Sequence, residues 1–283
     1  MTMNPYRTQR IAFFFLFLAN AVILLLVGLI VAVIVQKGLP GVTWEFLSDI
    51  PRQGMRAGGI FPAIIGTLYL VAGAILFALP IGLLAAVYLS EYAKDNALTR
   101  LIKLAIVNLA GVPSVVYGLF GLALFVVFFK FGASILSGSL TLGIMILPLI
   151  ITASREALES VPQSFREVSL SLGASKWQTI WHIVLPNAIP GILTGTILGI
   201  GRAAGETAPI LFTVAAFYLP LLPGSIFDQV MALPYHLYVI STQVPNVDER
   251  IRYGTAFVLL ALVLIMNLIA IVVRYRFRMK KKW

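Results

Sequence analysis

Two ionisable residues stand where an apolar chain has no ordinary use for charge. Arg202 and Glu206 lie in the string RAAGETAPILFT, residues 202–213, directly after the charge-free run 177–201. Their i,i+4 spacing puts them on one face of a helix, one turn apart. A guanidinium presents a planar fork of donors that suits the oxygens of carboxylates and other anions. The carboxylate one turn on can hold that fork between occupancies and weaken its grip, as release of an ion requires. Thr207 adds a hydroxyl beside it. Such a group could bind an anion reversibly, with no covalent step.

A charge at bilayer depth costs about 2.5–3.5 kcal/mol on insertion scales, so something must offset it. Mutual neutralisation that fastens helices is one reading, and a substrate pathway is the other. Arg before Glu is the weaker order for such a pair, which favours the pathway. Glycines also crowd this helix at 191, 195, 199, 201 and 205. Gly191, Gly195 and Gly199 form one stripe at four-residue spacing, suited to close helix packing.

The second candidate is the polar stretch 154–186. Ser164 precedes Glu167 at capping-box spacing, which predicts a helix from near Phe165. Leu170, Gly173, Trp177 and Ile180 recur at three- and four-residue steps and predict one apolar face. Gly173 either ends the helix or allows a close backbone approach. The stretch therefore reads as a short amphipathic helix, a turn, and an interfacial helix leading to Leu185-Pro186. A helix lying on the membrane surface and a docking helix for a soluble partner both fit that pattern.

Other chemistry is missing. Gly173-Ala174-Ser175-Lys176 lacks the spacing and upstream glycine of a nucleotide phosphate loop, so ATP hydrolysis would belong to another chain. His182 and His236 are far apart in sequence, there is no cysteine, and no metal site or cofactor is expected. The chain is not expected to be an enzyme.

The elements that must position these residues follow from composition. Of 283 residues, 60% are hydrophobic and 11% charged, against about 25% charged in a soluble domain; mean hydropathy is +0.97. This excludes a soluble enzyme, a disordered chain and, despite a net charge of +10, a nucleic-acid binder. The expected fold class is all-α and polytopic, because helices satisfy their own backbone groups in lipid. Charge-free runs at 11–36, 58–90, 104–129, 131–154, 177–201 and 254–273 are long enough to cross about 30 Å of hydrocarbon. They predict six spans. The fifth is expected to run from near Asn187 to about Ala216, and the proline-interrupted remainder to Phe227 reads as an irregular outer segment. The first run is long for a signal core and Gln36-Lys37-Gly38-Leu39-Pro40 lacks a small-x-small cleavage pattern, so it is expected to be a retained helix.

With both termini in the cytoplasm, fourteen Lys and Arg fall inside and six outside, with Arg202 left in a helix. The +10 thus reads as a topology signal, to which the basic C-terminus adds contact with lipid heads.

The loop carries a resemblance. Glu167-Val168-Ser169, three residues, Gly173, nine residues, Ile183, one residue and Leu185-Pro186 reproduce the anchor spacing of the cytoplasmic loop in inner-membrane permeases of ABC importers; Val168 and Ser169 replace two alanines. RAAGETAPILFT, the stretch 58–93 and VPSVVYG at 112–118 closely resemble the phosphate-specific PstA family of these permeases. The resemblance implies a type I permease fold occupying 1–283 as one transmembrane domain, with an accessory first helix at 11–36, a core at about 58–273 and a coupling loop at 154–186. It implies ATPase docking through Glu167, Leu170, Gly173 and Ala174, and a substrate pathway at Arg202, Glu206 and Thr207. The implied partners are a homologous permease of PstC type, two ATP-binding subunits of PstB type and an extracytoplasmic phosphate-binding protein of PstS type. The implied location is a prokaryotic inner membrane. A permease for sulfate, molybdate or phosphonate shares the loop motif, but would not be expected to carry RAAGETAPILFT. An ATP-independent secondary transporter would need no such loop.

Overall fold

The computed structural model describes residues 5–279; Lys280, Lys281 and Lys282 of the basic C-terminus lie outside the described residues. Helix α1 (Pro5–Gly38) is followed by the short α2 (Trp44–Ser48) and by a hairpin, β1 (Pro51–Arg52) with β2 (Ala57–Gly58). The hairpin is antiparallel, with Pro51 opposite Gly58 and Arg52 opposite Ala57. Helix α3 (Phe61–Val87) ends in a π-turn, Tyr88–Tyr92. Next come α4 (Ala97–Ala110), α5 (Ser114–Gly121) with a π-turn at Leu122–Phe128, and α6 (Ile135–Glu159). The loop helices are α7 (Gln163–Ser171) and α8 (Lys176–Thr179); a π-turn at Ile180–Val184 then leads into α9 (Leu185–Gly205). The chain finishes with α10 (Ala208–Thr213), α11 (Leu233–Thr242) and α12 (Glu249–Met279).

Among the described residues, five helices are long and apolar enough to cross a membrane, and the bent pair α4–α5 makes a sixth span if counted as one. Helix α6 is the centre of the bundle, flanked by α3 and α9, with α12 on α9 and α1 on α12. Lipid tails are as apolar as leucine, so helices here gain little from hydrophobic burial and rely on close fit. Small residues supply that fit: Ala63, Ala74, Ala78 and Ala86 of α3 are fully buried. Leu142, Met145, Ile146 and Ile150 of α6 fill the space between. Helix α1 instead exposes Phe13, Phe14, Phe15 and Phe17 along its length, a surface that suits lipid.

Two expectations change. The third span is not one helix from 104 to 129: α4 and α5 meet at 102°. Pro113 has no N–H to give, and its ring disfavours helical backbone at Val112. The Tyr117 hydroxyl closes the bend by donating to the Leu109 carbonyl at 2.8 Å, which makes this tyrosine a buried packing group. The fifth helix does not reach Ala216 either. It stops at Gly205, and Glu206 is extended at ψ 134°. Pro209 explains the stop, because its ring would clash with the carbonyl four residues back and it cannot donate there.

The remainder to Phe227 is irregular and mostly exposed, as expected, but the chain on either side of it packs inward. Val214, Val230, Met231, Ala232 and Leu233 are buried, and Ala215 bridges Val230 in parallel. The Leu233 amide donates to the Thr67 hydroxyl of α3 at 2.8 Å. A Cβ on Gly66 would collide with the Met231 carbonyl, so glycine is what lets this strand-like segment lie against α3. The segment folds back into the bundle.

Candidate functional site: two arginine–glutamate pairs

Helix α9 sets the depth of Arg202. It runs antiparallel to α12, with Arg274 donating to the Thr194 hydroxyl at 3.1 Å and Gly201 facing Asn267. Seven residues separate the two contacts on each helix. The charge-free run of α12 is 254–273, so Arg202 lies within about 5 Å of its middle at 1.5 Å per residue. The charge is therefore near mid-depth of the apolar band.

Arg202 Nε is 3.6 Å from Glu206 Oε1, and the two side chains remain 32% and 20% exposed. The pair bridges the end of α9 and the first extended residue beyond it, instead of two turns of one helix. At 3.6 Å it is an ion pair without a hydrogen bond, and among the described residues the Arg202 fork makes no side-chain hydrogen bond. Thr207 and Ala208 are likewise half-buried, whereas Ala203, Ala204, Pro209 and Ile210 are buried. The chain thus presents Arg202, Glu206 and Thr207 on one partly open face beside a break in the helix. Irregular backbone at this depth is tolerated where it lies within protein or lines a cavity. The void on the inner side of Glu206, lined also by Thr67 and Ala203, is only about 10 Å³, room for about one water. A larger anion must approach from the open face.

The glycine stripe divides. A Cβ on Gly191 would overlap Ala157, and one on Gly195 would come to 2.5 Å from Ala153, both on α6. Gly199 would meet Ile150 at an ordinary 3.6 Å. Close approach of α9 to α6 is therefore concentrated at the two glycines nearest the loop.

At that end, α7 and α8 form a helical hairpin. Ser164 does not cap α7; the cap position is Pro162, with no side-chain bond. The capping box belongs to α8, where Ser175 accepts from the Gln178 amide at 3.2 Å and Gln178 accepts from the Ser175 amide at 2.8 Å. Gly173 has φ +85° and nothing within 4 Å of a built Cβ, so it is the turn, not a close approach. The predicted single apolar face is split by this turn. Ile180 is buried, while Val168, Leu170, Leu172 and Trp177 are exposed. Glu167 is exposed and Ala174 half-buried. Glu167, Leu170, Gly173 and Ala174 thus share one short hairpin at the end of the bundle.

Spacing gave no sign of what holds that hairpin. Arg166 and Glu91, 75 residues apart, form a second pair whose side chains are 12% and 7% exposed. Arg166 donates to Glu91 Oε1 at 2.7 Å from Nη2 and at 3.2 Å from Nε. It also donates to the carbonyls of Val161 at 2.7 Å and Leu158 at 2.9 Å. Next to Glu91, the Tyr92 ring lies 4.8 Å from the Lys176 ammonium of α8.

Known proteins agree with this architecture. Residues 78–282 match the family described as binding-protein-dependent transport system inner membrane component. The phosphate transport system permease protein PstA 1 of Mycobacterium tuberculosis is 35% identical over 97% of this chain and 90% of its own length. The probable ABC transporter permease YqgI of Bacillus subtilis is 34% identical over 95% of both. Among solved structures, a bacterial ABC transporter involved in import of the polysaccharide alginate superposes with a TM-score of 0.68 at 14% identity, covering 95% of this chain and 96% of that one. The inward-facing methionine transporter MetNI gives 0.60 at 15% identity, covering 77% and 97%. The family match and the curated relatives agree with a membrane-spanning bundle: the chain belongs to the binding-protein-dependent inner-membrane components, the permeases of ABC importers, with PstA-type permeases among its relatives.

Proposed function

We propose that this chain is the PstA-type permease subunit of an ATP-driven phosphate importer, forming one half of the translocation pathway. The observation that carries the reading is Arg202: a guanidinium near mid-depth, at a helix break, held by a loose ion pair to Glu206 on a face that its own bundle leaves open. A homologous second permease of PstC type would close that face. Phosphate delivered by an external binding protein of PstS type passes Arg202 in a weak, short-lived contact, and Glu206 recaptures the guanidinium afterwards. Relatives named for phosphate transport support this substrate over sulfate, molybdate or phosphonate.

The exposed hairpin α7–α8, with Glu167, Leu170 and Ala174 around the Gly173 turn, docks one of two ATP-binding subunits of PstB type. Its exposed apolar residues suit burial in a groove. The chain itself performs no covalent chemistry. Both termini and the hairpin face the cytoplasm of a prokaryotic cell, in agreement with the distribution of Lys and Arg.

The test is uptake of labelled phosphate by complexes that assemble and hydrolyse ATP. Arg202→Gln is expected to lower uptake at least tenfold; wild-type uptake would remove Arg202 from the pathway. Unlabelled arsenate is expected to compete and sulfate to fail. Competition by sulfate equal to that by phosphate would assign the subunit to another oxyanion.

A further inference from the structure

We propose that Glu91 and Tyr92, at the end of α3, clasp the docking hairpin so that α7, α8, α3 and the end of α6 move as one body. The inference rests on the reading of α7–α8 as the ATPase-docking element and assigns the part that connects it to the bundle.

The hairpin has few directional ties. Its turn at Gly173 is free of neighbours, and the apolar cluster of Val87, Leu158, Val161 and Ile180 lies beneath the hairpin. Apolar contact of that kind has no preferred direction and permits sliding. A cavity of about 590 Å³, lined by Glu159, Gln163, Leu170 and Lys176, adjoins the clasp and leaves α7 room to shift. The Ser169 and Thr179 hydroxyls, 2.9 Å apart, tie α7 only to its own partner α8.

Against this background the Arg166 fork is the directional link. Its Nη2 reaches both Glu91 of α3 and the Leu158 carbonyl of α6, while Nη1 takes the Val161 carbonyl. One side chain of α7 thereby holds two bundle helices. The π-turn at Tyr88–Tyr92 is what makes the second grip possible. The extra residue of a π-turn shifts the side chains that follow, so Glu91 points to α7 while its neighbour Tyr92 meets Lys176 of α8. Two consecutive residues grip both helices of the hairpin. Force applied at the docking surface then reaches α3 and α6 through rigid contacts and is not absorbed at the turn.

Arg166 and Glu91 are accordingly positioning residues, and the informative quantity is ATP hydrolysed per phosphate imported by the reconstituted four-component transporter. Glu91→Gln and Arg166→Gln are expected to assemble and hydrolyse ATP at rates near wild type, with that ratio raised at least tenfold. The exchanged pair Glu91→Arg with Arg166→Glu is expected to recover part of the loss. The chain has no cysteine, which permits a second arm: Glu91→Cys with Arg166→Cys, joined by a short reducible bis-thiosulfonate crosslinker. The joined complex is expected to couple near wild type, and reduction is expected to uncouple it. A wild-type ratio in Arg166→Gln, or equal ratios in the joined and reduced complexes, would overturn the clasp. If the hairpin does not receive the ATPase, wild-type assembly itself is insensitive to changes at Leu170 and Ala174, so assembly tests the docking reading and stoichiometry tests the clasp.

Discussion

Two of the arginine–glutamate pairs among the described residues have opposite character. Arg166 and Glu91 meet at hydrogen-bonding distance, almost wholly buried, and the arginine's remaining donors are taken by two carbonyls. Arg202 and Glu206 stand 3.6 Å apart, partly exposed, with the arginine fork otherwise uncommitted among the described residues. A buried pair whose guanidinium makes hydrogen bonds from Nε and both Nη atoms is fixed, because separating it strands a charge in low dielectric. A loose and half-open pair can exchange its partner for an incoming anion. Geometry, not residue type, separates a fixed pair from a loose one.

The largest expected effect comes from breaking the fixed pair. Glu91→Ala leaves Arg166 with two carbonyls and no counter-charge, which costs about 3–5 kcal/mol for buried pairs. The assembled complex should lose thermal stability and the hairpin should become sensitive to protease near Gly173. Protection equal to wild type would show that the apolar cluster beneath α7 is sufficient.

Close packing of α9 on α6 comes second. Gly191→Ala sets a methyl against Ala157, and Gly195→Ala sets one against Ala153; overpacking of this kind costs about 1–3 kcal/mol. Gly199→Ala has ordinary room beside Ile150 and should melt close to wild type. If all three behave alike, α9 is held less tightly against α6 at the loop end than the geometry indicates.

How much of this was legible follows from the range of each interaction. Spans, the loop at 154–186 and the Arg202–Glu206 pair depend on neighbours within a turn or two, and the residue order reveals them. The break after Gly205 was foreshadowed by Pro209, and the bend after Ala110 by Pro113, yet a continuous apolar run concealed both. The return of Val230–Leu233 against α3 was not legible, since Pro220, Pro223 and Gly224 just before it look alike in an outer loop and in a tightly fitted one. The Arg166–Glu91 contact joins residues far apart in the chain, and Arg166 looked like one more cytoplasmic cation. Ser164 misled because Pro162 already fixes the entry to α7 and the capping box was taken by Ser175 and Gln178.

His236 shows a third way to bury a basic group, by giving up the charge. It is 2% exposed on α11, its Nδ1 has no hydrogen-bond partner, and burial lowers its pKa from 6.5 to about 4. The folded state then binds fewer protons than the unfolded state between these values, so stability is complete above about pH 6.5 and falls as pH drops toward 4. The loss between pH 7.5 and 5.5 should be about 1 kcal/mol. His236→Gln should flatten the difference between melting curves at those two pH values; an unchanged slope would assign the acid sensitivity to other groups.

The smallest stability effect belongs to the pair expected to matter most for transport. A half-open ion pair without a hydrogen bond contributes about 0–1 kcal/mol, so a double-mutant cycle with Arg202→Gln and Glu206→Gln should give a coupling energy no larger than about 1 kcal/mol in melting experiments. Phosphate uptake should separate the two single variants. Arg202→Gln removes the donor fork and should lower maximal uptake. Glu206→Gln keeps the fork but removes the group that recaptures it, so phosphate should bind tighter and leave more slowly. The expected signature is a lower half-saturation concentration together with a lower maximal rate, because an anion held too well is not conducted. A strong stability coupling, matching that of Arg166 and Glu91, would instead make Arg202 and Glu206 a second joint and leave the pathway without its arginine.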